Sequence, residues 1–165
     1  MPIWPFHRKA TRSNAIASST QPSDHVLSLL SPEEVQSFGG LPVEGIAGRF
    51  VDDSMSVEAF RQNPAFVDFM HEVIRTTGPN DPELRAAAQE QRDGWVYIID
   101  LRTPEGPGGR VPPEDIIGAF EVQDGQIVAD SYQASSTHRV YTNDGMVCLP
   151  PSLRRALVKR LPKVS

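Results

Sequence analysis

Ile116-Ile117-Gly118-Ala119-Phe120-Glu121-Val122 and Gln126-Ile127-Val128-Ala129-Asp130-Ser131-Tyr132 lie on either side of Asp124-Gly125. Two β-forming runs flanking Asp-Gly are the strongest short-range signal for a hairpin, because this pair accepts the positive φ angles of a tight turn. Upstream, Trp95-Val96-Tyr97-Ile98-Ile99-Asp100-Leu101 is aromatic and β-branched, and its near-continuous apolar character predicts a central strand covered on both faces. Downstream, His138-Arg139-Val140-Tyr141 and Met146-Val147-Cys148-Leu149 flank Asn143-Asp144-Gly145 and predict a second hairpin. Pro150-Pro151 ends the sheet, and Leu153, Leu157 and Leu161 mark the apolar stripe of a closing helix.

The first half reads as helices. Ser31-Pro32-Glu33-Glu34 carries an N-cap, a proline at the first helical position and a capping-box glutamate, and Gly39-Gly40 stops the helix. Residues 41–55 read as irregular chain that admits a short strand around Ile46 to Val51. Asn63-Pro64 opens the best helix, in which Phe66, Phe69, Met70, Val73 and Ile74 share one face. Asp81-Pro82-Glu83 repeats the start signal for a helix ending before Gly94. The order predicts an α+β fold, with N-terminal helices on one face of a four- to five-stranded antiparallel meander and a closing C-terminal helix. It lacks the strand–helix alternation of a dinucleotide-binding fold.

A basic tail of residues 1–23, rich in Ser and Thr, is expected to be flexible, and residues 24–165 to form a single domain, a size that can bury its own core. Fifteen prolines, nearly twice the ~5% average share, predict long stiff loops. All 21 acidic residues fall between Asp24 and Asp144. Residues 13–153 therefore hold 21 acidic and 8 basic residues, a net of −13, with +3 before them and +5 after them. Such a centre repels nucleic acid and anionic lipid, and no specific nucleic-acid interface is expected. The Ile116–Val122 run has Phe120 but no basic neighbour of the kind an RNA-binding sheet carries.

Chemistry-bearing motifs are sparse. Gly106-Pro107-Gly108-Gly109-Arg110 lacks the spacing and the Lys-Ser/Thr of a phosphate loop, so no nucleotide cofactor is expected. His7, His25, His71 and His138 show no metal-ligand spacing, the lone Cys148 adds no soft partner, and no metal is expected. Asp52-Asp53 and Glu114-Asp115 pair carboxylates at positions that turn chemistry explains. Cys148 reads as a buried apolar strand residue. The absence of a disulfide framework and of a secretory apolar region favours a reducing, cytoplasmic compartment, and no stretch approaches the ~20 apolar residues of a membrane span.

Three functional readings follow. The first is a non-enzymatic interaction module, such as an adaptor, an accessory subunit or an inhibitor or immunity-type protein. Its acidic surface would meet an unknown basic protein, with Arg102, Glu105 and Arg110 of the long 102–113 loop, and Glu114 directly after it, as candidate partner contacts. The second is a small hydrolase or isomerase using His138 as base with Asp100 or Asp115, a reading that requires these groups to lie within hydrogen-bond reach. The third is a peripheral membrane contact through Trp4 and Phe6, beside Arg8, Lys9 and Arg12.

Overall fold

The computed structural model describes residues 25–103 and 111–164. It is an α+β protein with antiparallel sheets, and its residues group into two compact units. One holds residues up to 69 together with 140–146 and those from 160 onward; the other holds 70–139 and 147–159.

The first unit opens with a strand where the sequence suggested helices. β1 (His25–Ser28) pairs antiparallel with β2 (Ile46–Phe50), which pairs with β3 (Phe60–Gln62). Between β1 and β2 lies α1 (Pro32–Phe38), closed at its start by a reciprocal capping box. Ser31 Oγ accepts from Glu34 N, and Glu34 Oε1 accepts from Ser31 N. Gly39 ends it in the left-handed conformation at φ 77°. Phe50 is fully buried, with Phe60 edge-on to it at 5.2 Å. Residues 46–50 thus form the short strand that the sequence admits around Ile46 to Val51, and pairing with chain on both sides supplies what the glycines and proline of the surrounding stretch do not.

α2 (Pro64–Thr77) carries Phe66, Met70, Val73 and Ile74 as its buried stripe, at the three-four spacing the sequence shows. In the second unit, α3 (Pro82–Gln91) leads through Arg92 and Asp93 into β4 (Gly94–Ile99). β4 pairs antiparallel with β5 (Ile116–Gln123), and β5 continues through Asp124-Gly125 into β6 (Gln126–Ile127). Asp124 and Gly125 both take positive φ, 51° and 76°, as the hairpin turn requires.

The single meander is replaced by three small sheets. β6 stops after two residues because the chain bulges away from β5 around Ala129-Asp130, with Asp130 at φ 58°. It resumes pairing in the same direction as β7 (Gln133–Ala134), on the same side of β5. The second hairpin shrinks to β8 (Tyr141–Thr142) and β9 (Gly145–Met146), so His138 and Cys148 lie outside any strand. Among the described residues β4 is an edge strand, not the central one its composition suggested: it pairs with β5 alone, and Tyr97 is 56% exposed. α4 (Pro151–Arg160) closes the chain with Leu153, Leu157 and Leu161 buried. No helix among the described residues is long and apolar enough to cross a membrane.

Candidate functional site

β4 alternates its side chains, so Val96, Ile98 and Asp100 point to one face, and all three are buried. Asp100 therefore enters the interior directly after the strand, and its backbone N–H donates to Asp115 O at 2.7 Å, extending the β4–β5 ladder past the irregularity at Ile98/Ile99. Asp115 closes the one-turn helix Pro113–Asp115, which delivers its carboxylate to the same place.

Between the two carboxylates lies Arg102. Its Nε donates to Asp115 Oδ1 at 2.8 Å and sits 3.5 Å from Asp100 Oδ2. Its Nη2 donates to the carbonyls of Glu114 (2.9 Å) and Arg139 (2.7 Å). His138 Nε2 lies 3.0 Å from Asp100 Oδ2; since a carboxylate only accepts, the proton of that contact belongs to Nε2. Asp100 Oδ1 accepts from the backbone of Arg102 (3.1 Å) and of Cys148 (2.9 Å), and Asp115 Oδ2 accepts from Thr103 Oγ1 at 2.9 Å. The side chains of Asp100, Arg102, Asp115 and His138 are between 0 and 3% exposed.

Four stretches of chain meet on this cluster: 100–103, 113–115, 138–139 and Cys148. Buried charge at this density persists only when each group is paired and hydrogen-bonded, and the carboxylate oxygens here each have partners. Sequence reasoning singled out His138, Asp100 and Asp115, and the structure brings all three together. Arg102, read as a surface contact, is instead the buried centre of the group, and Glu114 contributes its backbone carbonyl. Glu105, Arg110, Trp4 and Phe6 lie outside the described residues. The roles of Thr103 and the Cys148 amide left no trace in the sequence; alternation placed Asp100 on the face of Val96 and Ile98, but a run read as covered on both faces did not say which face was interior.

No hydroxyl among the described residues is bonded to the His138 ring. Ser135 Oγ and Thr137 Oγ1 bond one another at 2.9 Å, and Thr137 Oγ1 donates to Pro113 O at 2.8 Å. In the other unit Asp52 and Asp53 diverge. Asp52 Oδ1 accepts from the side chain and backbone of Ser54, which hold its carboxyl below the usual range, while Asp53 Oδ1 meets His25 Nε2 at 2.8 Å. Among the described residues no group of three or more His, Cys, Asp or Glu side chains is arranged to hold a metal ion.

Three cavities lie elsewhere in the second unit. One of about 310 Å³ is polar, lined by Asn80, Arg85, Gln89 and Gln126 among others. The other two run along β4 beside α3: about 230 Å³ lined by Glu83, Leu84, Tyr97, Ile98, Leu101 and Leu153, and about 340 Å³ lined by Ala87, Glu90, Gln91, Trp95, Val96 and Tyr97. None of the three is lined by a member of the Asp100–Arg102–Asp115–His138 cluster. Comparison with known proteins gives no family model, no curated protein and no solved structure that matches this chain.

Proposed function

We propose that the chain is a non-enzymatic interaction module whose acidic surface receives a basic protein partner. The observation that carries this reading is how the buried cluster is bonded: among the described residues its hydrogen bonds run to its own members, to Thr103 Oγ1 and to backbone, as in a clamp on chain segments rather than a receptor for substrate. With the polar groups turned inward, the surface offers shape, exposed apolar side chains and negative charge, which suit docking. Tagged full-length protein applied to an extract of the native host is expected to retain a stoichiometric basic partner that moderate salt releases. A folded, well-expressed protein that retains none removes the reading. A variant shortened across 104–110 reports whether the loop bearing Glu105 and Arg110 contributes.

The 3.0 Å contact of His138 with Asp100 supports a second reading, a small hydrolase or isomerase in which Asp100 orients the imidazole as a base. Activated esters are the test. Turnover by the wild-type chain that disappears in His138→Gln, with folding intact, would replace the first reading by the second.

A further inference from the structure

We propose that the open edge of β4 is a docking strand that an extended, basic peptide segment of a partner protein joins by β-augmentation. This rests on the reading of the chain as an interaction module and names its surface.

The backbone decides which groups face outward. On β5, Ile117 O accepts from Ser135 N and Glu121 O from Val128 N, so the odd-numbered residues of β5 serve the β6/β7 side. Gly118, Phe120 and Val122 therefore serve β4, where their register partners are Ile98, Val96 and Gly94. In an antiparallel ladder the intervening residues turn their groups the other way, so the N–H and C=O of Trp95 and Tyr97 point away from β5. Among the described residues no strand pairs with that side of Gly94–Ile99, although just past the strand Leu101 N, which faces the same way, donates to Cys148 O and closes the edge there.

Exposed edges are ordinarily blunted by lysine, proline or a very short strand. Gly94-Trp95-Val96-Tyr97-Ile98-Ile99 has six residues, no charge and no proline. It is a ready template for another strand.

The flank of this edge states the chemistry of the occupant. The lining of the two cavities shows α3 lying alongside β4 in the opposite sense, with Glu83 and Leu84 near Tyr97 to Leu101 and Ala87, Glu90 and Gln91 near Trp95 to Tyr97. Glu83, Ala87 and Glu90 form one helical stripe, and both glutamates are exposed, while Arg85 faces the separate polar cavity. Along this flank the first cavity has an apolar floor at Leu84, Ile98 and Leu153 with Glu83 at its wall, and the second, which shares Tyr97 with it, has Glu90 at its wall. Seven residues of helix span about 10 Å, or about three residues of extended chain. That distance falls between the two- and four-residue spacings that keep side chains on one face of a strand, so the fitting segment alternates aliphatic residues with basic ones whose long side chains reach the two carboxylates. A second copy is the poorer occupant, because pairing β4 with itself would crowd two sets of Glu83 and Glu90 on one strand pair.

The test uses the full chain with a fluorescent peptide of about six residues alternating Val and Lys, followed by anisotropy and amide hydrogen exchange. Binding is expected, with the amide protons of Trp95 and Tyr97 slowed in the complex. The double variant Glu83→Lys/Glu90→Lys, altered only on exposed helix surface, should weaken binding at least tenfold. Tyr97→Pro should do so as well, since it removes an outward N–H without touching the β5 ladder. A peptide with Glu in place of Lys should not bind. Absence of binding, or binding that leaves the two amides and both variants unaffected, overturns the proposal. So does a concentration-dependent dimer that Tyr97→Pro abolishes, which would give the edge to a second copy. If the wild-type chain and Tyr97→Pro retain the same partner from the host extract, the edge proposal fails while the module reading stands; if the wild-type chain retains nothing, the module reading fails on its own.

Discussion

Tyr132 sits between two partners within the second unit. Its phenol oxygen shares a 2.7 Å hydrogen bond with His71 Nδ1, and its ring lies 5.0 Å from that of Phe120, over the face of Gly118, where a Cβ has no room. Burial pushes the phenol above its ordinary value near 10. A tyrosine becomes charged on losing its proton, so the folded state resists ionisation that the unfolded chain accepts. Below about pH 10 both states are neutral and the contribution to stability is complete; above it the unfolded chain ionises first and stability falls. Thermal unfolding followed from about pH 9 to pH 11 is expected to show this decline, and Tyr132→Phe should flatten it while costing about 1 kcal/mol for the lost hydrogen bond. Tyr141 is raised by burial as well, so some slope should survive in that variant. At this scale the sequence is only partly legible. Alternation puts Asp100 on the face of Val96 and Ile98 without saying that this face is interior, and nothing local reveals that Arg102 bonds Arg139 O across 37 positions, or that His71 meets Tyr132 across 61.

Helix starts are the elements that local sequence reports best, because capping is settled within four residues. Ser31, Asn63 and Asp81 each accept a hydrogen bond from the first turn of the helix they precede: Glu34 N, Ala65 N and Leu84 N respectively. Asp81 is the buried case, and its carboxylate also lies at the positive end of the α3 dipole. Asp81→Ala should cost about 1 kcal/mol, seen as a lower urea midpoint at unchanged m, and Asp81→Asn, which can still cap, much less. An equal loss in both variants would assign the effect to charge and not to the cap. Strands are reported less well, because their extent depends on partners distant in sequence. Ile116–Gln123 forms over the whole expected run and one residue beyond it, because β4 supports it over six register pairs. The run after Gly125 is also β-forming, though less apolar, and it pairs for only two residues before the positive φ of Asp130 diverts it. The same dependence explains β4 itself: apolar composition marks a strand but does not say whether one edge or two is paired, and that distinction decides whether Trp95 and Tyr97 can offer their backbone to a partner.

Across the whole molecule the organisation rests on returns of the chain that composition cannot announce. Within the first unit, Tyr141 packs edge-to-face with Phe50 and tilted against Phe60, with ring centroids 5.0 and 5.1 Å away, and its hydroxyl donates to Met55 O at 3.0 Å. Val140 N donates to Gln62 Oε1 at 3.0 Å, Val164 N donates to Phe38 O at 2.8 Å, and the Leu161 side chain packs on Gly45. The small sheet β1–β3 is thus completed by residues from the far end of the chain. A chain ending at Arg139 would lose all of these contacts together. Removal of a buried leucine side chain alone costs about 2–5 kcal/mol, an aromatic pair adds about 1 kcal/mol beyond its area, and total stability is only about 5–15 kcal/mol. The truncated chain is expected to lose slow amide exchange in β2 and the ordered near-ultraviolet signal of its aromatic residues. Tyr141→Phe, which keeps the ring and drops only the hydroxyl bond, should lose about 1 kcal/mol and keep both signals. Native protection of β2 in the truncated chain would mean that residues 25–69 close their own core and that the returning segments only cover it.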